Sequence, residues 1–153
     1  MSGNTSPPLL LVEDDVNEVE LMLEAFEASG ITQPVRVLRD GEEAIAYLEG
    51  RGAYADRRAH PLPCLIFLDL KLPKKSGLEV VEWVKSQAGL KRIPVVIVSS
   101  SRAPDDVDRA YQAGANSYLG KPVIFKDFVE MIRASGKYWI SYNLPIQETP
   151  RQA

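Results

Sequence analysis

Residues 65–77, LIFLDLKLPKKSG, run from an apolar segment directly into one carboxylate, Asp69, and then through Pro73 to Gly77. A continuous apolar run such as CLIFLDL at residues 64–70 is typical of a strand that is buried on both faces. Proline and glycine favour turns, so the chain is predicted to turn soon after this strand ends. The stretch therefore predicts a buried strand that carries Asp69 to the edge of a sheet.

Strands and helices are predicted to alternate on both sides of this stretch. Upstream, the apolar run LLLV precedes a helical pattern that ends at Gly30, and the short strand VRVL precedes the helical pattern GEEAIAYLEG. Downstream, the predicted elements are a helix at LEVVEWVKSQ, a buried strand at IPVVIVSS, a helix from Pro104 to Gly114, a strand at SYLGKP and a helix at FKDFVEMIR. The apolar positions of the last two helices are predicted to be Val107, Ala110 and Tyr111, and then Phe125, Val129 and Ile132. Five strand–helix pairs imply right-handed crossovers and a parallel sheet with helices on both faces. The sequence therefore predicts a doubly wound α/β fold, and 153 residues with 45% hydrophobic content suit a single domain.

Polar side chains follow most of the predicted strands. In doubly wound sheets, ligands bind beyond the carboxyl ends of the strands. The residues expected there are Glu13, Asp14, Asp69, Ser99, Ser100 and Lys121. Carboxylates in close quarters repel one another and raise one another's pKa values unless a cation neutralises their charge. Lys121 supplies one cation, and oxygen ligands without His or Cys favour Mg²⁺ as a second.

Each of these residues also has an ordinary explanation when it is considered alone. Asp15 is predicted to cap the first helix, and serines that follow a strand are usually turn residues. A lysine before a proline is usually solvated, and Tyr118 alone indicates a half-buried aromatic residue of a strand. Acids, a hydroxyl and an ammonium would seldom coincide at one edge of one sheet, so together they predict a functional site.

The composition argues against several classes of protein. A formal net charge of −3 does not suit a protein that binds nucleic acid or anionic lipid. The single cysteine, Cys64, excludes an intramolecular disulfide and a Cys-rich zinc site, which fits a reducing compartment. The first residues, MSGNTSPP, lack the features of a signal peptide, and no apolar run reaches the roughly 18 residues of a membrane-spanning helix. We expect a cytoplasmic protein that binds neither nucleic acid nor membrane.

Four motifs together resemble the receiver domain of bacterial two-component response regulators: LLLVEDD, LIFLDLKLPKKSG, VVIVSS and GANSYLGKP. They occur in the family's order, and the resemblance covers about residues 8–134. It implies a flavodoxin-like fold with a five-stranded parallel sheet, and a signalling protein rather than an enzyme. The implied organisation is a flexible N-terminus at 1–7, a receiver domain at 8–134 and a C-terminal extension at 135–153, in which the last helix continues into a tail.

The resemblance also implies how the acids act. Asp69 would accept a phosphoryl group from a phosphohistidine of a sensor histidine kinase, as in a phosphorelay, and the protein would assist its own autodephosphorylation. Mg²⁺ would be bound by Asp14, Asp69 and the backbone carbonyl of Lys71, with Glu13 acting through water.

The resemblance assigns three further residues to the response that follows phosphorylation. Ser99 would be the switch hydroxyl, Lys121 the ammonium that contacts the phosphoryl group, and Tyr118 the aromatic switch that turns inward. Lys121 precedes Pro122, and the bond between them is open to either the cis or the trans form.

Two segments indicate a particular subfamily of receiver proteins. GRGAYADRRAHPLP at residues 50–63 is longer than the connection needs, and GKYWISYNLPIQE at residues 136–148 extends beyond the last helix. Both are similar to segments of the stand-alone regulators of bacterial and cyanobacterial phytochromes, which implies a phytochrome as the kinase.

A homodimer through the last helix and the extension is predicted from the aromatic residues Tyr138, Trp139 and Tyr142. The alternative is that the tail covers its own domain. His60 is predicted to be a solvated loop residue.

Three other classes of protein share part of this pattern. An aspartate-nucleophile phosphatase needs a second acid two residues after the nucleophile, where this chain has Lys71. A nucleotide- or flavin-binding domain needs a Gly-rich loop after the first strand, and VEDDVNEVE contains no glycine. A phosphorylation-independent interaction module with a receiver fold is expected to lack one of Asp14, Asp69 or Lys121, and it remains the alternative.

Overall fold

Five short parallel strands form one sheet in the computed structural model, which describes residues 7–144. They are β1 (Leu9–Val12), β2 (Val35–Leu38), β3 (Leu65–Leu68), β4 (Val95–Ser99) and β5 (Ser117–Gly120), in the spatial order β2-β1-β3-β4-β5. This is the order of flavodoxin-like doubly wound folds. The predicted fold class, a single-domain five-stranded parallel sheet, is confirmed.

Helices cover both faces of the sheet. They are α1 (Val16–Ala28), α2 (Gly41–Glu49), α3 (Gly77–Ser86), α4 (Pro104–Ala113) and α5 (Phe125–Gly136), with a short 3₁₀ turn at Gly52–Tyr54 and a π-helical turn at Lys137–Tyr142. Buried residues of α1 and α5 pack on one face, and those of α2, α3 and α4 pack on the other. None of the helices within residues 7–144 is long and apolar enough to cross a membrane.

Alternation along the inner strands builds both halves of the core. In β1, Leu9 and Leu11 face α1 and α5, whereas Leu10 and Val12 face the other three helices. The four residues are all buried, as expected for a strand with helices on both faces. The sheet is therefore a rigid support for side chains that follow its carboxyl ends.

Local signals fix where the helices begin and end. Asp15 caps α1, because its side chain accepts hydrogen bonds from the backbone N–H groups of Asn17 and Glu18. Gly30 follows α1 with φ 77°, and Gly114 ends α4 with φ 110°, both in the left-handed region that glycine tolerates. The predicted cap and the two predicted stops are confirmed.

Three predicted environments were wrong. Phe125 was predicted to join the apolar stripe of the last helix, but it is 42% exposed, because α5 packs through Phe128, Ile132 and Gly136 at a spacing of four residues. Tyr111 is half exposed, since α4 buries only Ala110. His60 was predicted to be solvated, but its ring packs edge-on against Tyr47 and Tyr54.

The extension is partly folded onto the domain. Trp139 and Ile140 pack against the α1 and α5 half of the core, whereas Tyr138 and Tyr142 are 52% and 65% exposed. Apart from Pro7, the predicted flexible N-terminus lies outside the described residues, as do residues 145–153 of the predicted extension.

Candidate functional site

Three strands deliver the predicted site residues to one edge of the sheet. Asp69 directly follows β3, and its backbone N–H donates to the Val12 carbonyl at 3.1 Å. Glu13 follows β1, and Lys121 follows β5, where its N–H donates to the Ser99 carbonyl at 2.8 Å. The sheet hydrogen bonds thus continue one residue past the strands and hold these three backbones in register.

The predicted acids form one cluster. Glu13, Asp14 and Asp69 each place a carboxylate oxygen so that the three atoms lie within 4.8 Å of one another. Glu13 is 3% exposed, Asp69 is half-buried and Asp14 faces solvent. Three carboxylate oxygens at this separation form a donor set that suits a hard divalent cation.

Lys121 neutralises part of this negative charge. Its Nζ lies 3.2 Å from Oε1 of Glu13 and 2.8 Å from Oε1 of Glu18, and only 12% of its side chain is exposed. These are its two ion pairs within the described part of the chain, and neither involves Asp69. The sequence pattern did not identify Glu18, because its contact with Lys121 depends on how α1 packs beside the end of β5.

Burial and mutual repulsion shift the pKa values of these groups. Burial, followed by the negative charge of Asp69, raises the pKa of Glu13. Burial also raises the pKa of Asp69, against the opposing charge of Lys121. Burial acts to lower the pKa of Lys121, but the hydrogen bond to Glu18 and the charges of Asp69 and Glu13 outweigh it, so this pKa is raised. The site therefore holds Lys121 as a cation among incompletely neutralised acids.

The turn after Asp69 depends on close backbone contact. The Gly77 N–H donates to the Leu70 carbonyl at 2.8 Å, and a Cβ on Gly77 would lie 2.3 Å from the Asp69 carbonyl oxygen. Lys74 adopts φ 68°, the only positive φ of a non-glycine residue in the described part of the chain. Lys71 lies exposed in this turn, and no hydrogen bond within residues 7–144 ends on its carbonyl.

The predicted switch residues Ser99 and Tyr118 both form hydrogen bonds with Ser101. Ser99 is 2% exposed, and its Oγ accepts from the Ser101 N–H at 3.1 Å. Tyr118 is half-buried, and its hydroxyl donates to the Ser101 carbonyl at 2.7 Å. The Lys121–Pro122 bond is trans, since residues 7–144 contain no cis peptide bond.

Exposed apolar side chains border the acidic cluster. Leu21, Val123 and Phe125 are exposed and lie around Lys121. Leu21, Phe125 and Phe128 line an open pocket of about 150 Å³, which Lys121 and Glu18 close on the side of the cluster. The acids thus lie beside an apolar rim, formed by α1 and the segment between β5 and α5.

Comparison with known proteins gives a consistent family. The model of the response regulator receiver domain matches residues 9–133. Response regulator Rcp1 of Synechocystis sp. is 40% identical over 142 residues, which cover 92% of this chain and 95% of Rcp1. A probable methanogenesis regulatory protein, FilR2 of Methanothrix harundinacea, is also 40% identical, over 88% of this chain and 84% of FilR2.

Solved structures of response regulators are similar along most of the chain. The phosphorylated cyanobacterial phytochrome response regulator RcpA has a TM-score of 0.85 and 37% identity, with 92% of this chain and 99% of RcpA covered. The Mn²⁺-bound form of Rcp1 has a TM-score of 0.83 and 37% identity, with 93% of this chain and all of that chain covered.

Proposed function

Because this chain belongs to the response regulator receiver family, whose members are two-component signalling proteins, we propose that it accepts a phosphoryl group on Asp69 from a sensor histidine kinase. The observation that carries the proposal is the cluster of Glu13, Asp14 and Asp69 beside Lys121. An interaction module that had lost phosphorylation would have no need to retain these four groups together.

Asp69 is the proposed nucleophile. An oxygen of its carboxylate forms the new bond to phosphorus as the P–N bond of the phosphohistidine breaks, and the imidazole keeps the electron pair of that bond. The protein mainly positions groups and neutralises charge in such a transfer. The backbone hydrogen bond from Asp69 to Val12 holds the nucleophile at the edge of the sheet, and Lys121 supplies positive charge for the phosphoryl oxygens.

The cluster also fits a bound Mg²⁺. We assign Asp14, Asp69 and the Lys71 carbonyl as ligands, with Glu13 acting through water. Of the three carboxylates in the cluster only Glu13 is paired with the Lys121 ammonium, and the donor set contains only hard oxygens, which is the chemistry that Mg²⁺ prefers. A Mn²⁺-bound form of the relative Rcp1 supports a divalent cation in this family. When bound, Mg²⁺ would offset the charge of the acids and the phosphoryl oxygens.

Ser99 and Tyr118 are proposed to respond to the new charge. A phosphoryl group adds acceptor oxygens that can attract the Ser99 hydroxyl. Ser99 is 2% exposed and lies on the strand next to β3, which suits this role. Tyr118 is proposed to turn inward after phosphorylation, and its hydrogen bond to the Ser101 carbonyl connects it to the loop that follows Ser99.

The apolar rim is the proposed docking surface for the kinase. A protein that presents a phosphohistidine to Asp69 must contact the surface around the acidic cluster. Leu21, Val123 and Phe125 are exposed there and offer apolar contact area on two sides of Lys121. Similarity to the phytochrome response regulator RcpA favours a phytochrome as this kinase, which would place both proteins in the cytoplasm.

The test is incubation of the full chain with acetyl phosphate and Mg²⁺, followed by intact-mass measurement. We expect wild type to gain the mass of one phosphoryl group and to lose it again by autodephosphorylation. Asp69→Asn should keep the fold but gain no mass, because the amide is nearly isosteric and is not a nucleophile. A phosphorylated Asp69→Asn protein would sink the assignment, and an unmodified wild type would favour the interaction module.

A further inference from the structure

Ser101 connects the switch residues to α4. Its N–H donates to Ser99 Oγ at 3.1 Å, and its carbonyl accepts from the Tyr118 hydroxyl at 2.7 Å. Its own Oγ donates a short hydrogen bond to Oδ2 of Asp106 and accepts from the Ala103 N–H at 3.3 Å. All polar groups of one residue are therefore used, in contacts to Ser99, to Tyr118 and to the first turn of α4.

Apolar packing holds α4 only weakly. Ala110 is its one buried residue, and the N-cap residue Ala103 offers no side-chain hydrogen bond to the first turn. Helices of a doubly wound fold are usually anchored by several buried side chains, as α1 is by Val19, Met22, Ala25 and Phe26. The orientation of α4 must therefore depend more than usual on polar contacts at its N-terminus.

We propose that Asp106 is a positioning residue that couples the Ser99 hydroxyl to α4 through Ser101, an inference that rests on the proposed phosphorylation of Asp69. When the Ser99 hydroxyl turns toward a phosphoryl oxygen, its Oγ ceases to accept from the Ser101 N–H. Ser101 then moves with its hydroxyl still bonded to Asp106, and the first turn of α4 follows. The same movement shifts the carbonyl to which Tyr118 is bonded.

A general effect of helix charge is separable from this coupling. Any acid in the first turn of a helix is stabilised by the helix dipole. Asp105 lies in the same turn as Asp106 and is exposed, and no side-chain hydrogen bond of Asp105 is found within residues 7–144. Asp105→Ala therefore removes the same charge without touching Ser101, and it is the matched control.

Hydrogen exchange of α4, measured by mass spectrometry with and without acetyl phosphate and Mg²⁺, tests the coupling. In wild type and Asp105→Ala, phosphorylation should speed exchange in the first turn of α4 about tenfold, the effect expected when the hydrogen bond from the Ser101 N–H to Ser99 is lost and the turn that Asp106 ties to Ser101 moves with it. In Asp106→Ala, exchange should already be fast without phosphate and should change less than about twofold on phosphorylation. Ser101→Ala combined with Asp106→Ala should add nothing to either single change, because both break one contact.

The outcomes separate the coupling from the proposed function. If intact mass shows no phosphate on wild type, the proposed function fails and the coupling fails with it. If wild type gains phosphate but Asp106→Ala responds as Asp105→Ala does, or if the double variant shows additive effects, only the coupling is wrong. If Asp106→Ala does not fold, Ser101→Ala tests the same contact from its other side, with the same result expected.

Discussion

Lys121 is held by two carboxylates before any phosphoryl group arrives. Glu13 and Glu18 contact its Nζ at 3.2 and 2.8 Å, and the Lys121–Glu13 pair is almost fully shielded from solvent. Hydrogen bonds between charged groups are stronger when they are shielded in this way. A phosphoryl group on Asp69 must therefore compete with Glu18, the more exposed of the two acids, for the ammonium.

Neutralising Glu18 should remove this competition. We expect Glu18→Gln to raise the rate of phosphoryl uptake from acetyl phosphate about threefold, a fraction of the strength of one charge-assisted hydrogen bond. Glu20→Gln removes a charge from an exposed position of the same helix and serves as the control for general repulsion of the anionic donor. The rates follow from intact mass against time. Slower uptake in Glu18→Gln, or equal rates in the two variants, would contradict the prediction.

The hydroxyl of Tyr54, in the segment between α2 and β3, has a shifted pKa that can be measured. Burial, together with a 2.7 Å hydrogen bond to Glu43, raises the pKa of Tyr54 from 10.0 to about 12. Because the folded pKa is the higher one, this hydroxyl contributes stability that is fully present below pH 10 and is lost as pH rises through about 12.

The difference in absorbance near 295 nm between wild type and Tyr54→Phe should therefore titrate with a midpoint near 12. Glu43→Gln should lower that midpoint, since the phenolate would no longer face a carboxylate. A Tyr54 midpoint at the ordinary value in the folded wild type would show that the hydrogen bond to Glu43 does not form.

At the scale of single elements, sequence patterns located the five strands and the five α-helices. The buried strand before Asp69 and the helix ends at Gly30 and Gly114 could be predicted, because each depends on the chemistry of a few neighbouring residues. Phe125 and Tyr111 were placed wrongly, because which side of a helix is covered depends on the neighbouring helix, which a periodic pattern does not identify.

Some residues of the candidate site could be predicted from the sequence, and others could not. The cluster of Glu13, Asp14 and Asp69 was predictable, because each acid directly follows a predicted strand. Glu18 and the hydrogen-bond partners of Ser101 were not predicted, since these contacts depend on the angle of α1 and on the path of the loop before α4. Residues fixed by strand ends can thus be predicted, and residues fixed by the packing between elements cannot.

Gly77 determines how the turn after β3 packs against Asp69. We expect Gly77→Ala to destabilise the protein by about 1–3 kcal/mol, because the new Cβ would meet the Asp69 carbonyl and the turn would have to move. Phosphoryl uptake should fall with it, since the same peptide carries the nucleophile. Gly89→Ala is the control, because its Cβ would meet nothing within 4 Å and its φ is not positive. Denaturant unfolding and intact mass measure the two effects, and equal stability of the two variants would count against this role.

For the whole molecule, the site and the C-terminal extension lie at opposite ends of α5. This helix begins after β5, on the side of Lys121, and its 12 residues run about 18 Å away from the acidic cluster. At its far end, Gly136 packs against Ile31, and Trp139 and Ile140 cover the domain's own core. Trp139 was predicted to face a partner subunit, but it covers the core of its own domain, as the alternative prediction for the tail had it.

Tyr138, Tyr142 and Leu144 remain exposed, and the Nζ of Lys137 lies 5.5 Å from the centre of the Tyr142 ring. Large exposed aromatic side chains at neighbouring positions are more common at interfaces than on the surface of a monomer. We therefore propose a homodimer whose contact consists of these tyrosines on the exposed side of the extension, with Trp139 supporting them from within the same chain.

The dimer is tested by sedimentation velocity of the full chain at high micromolar concentration, with and without acetyl phosphate and Mg²⁺. We expect wild type to sediment as a dimer and phosphorylation to change the dissociation constant, because α5 connects the extension to the segment that carries Lys121. Replacing Tyr138 and Tyr142 together by alanine should weaken the dimer about tenfold or more, since buried aromatic residues contribute much of the binding energy at interfaces. Tyr111→Ala is the control, because Tyr111 is a similarly exposed tyrosine on α4, and it should sediment as wild type does. A wild type that stays monomeric in both states would leave the extension as a local cover, and a dimer unaffected by the double replacement would move the interface to another surface.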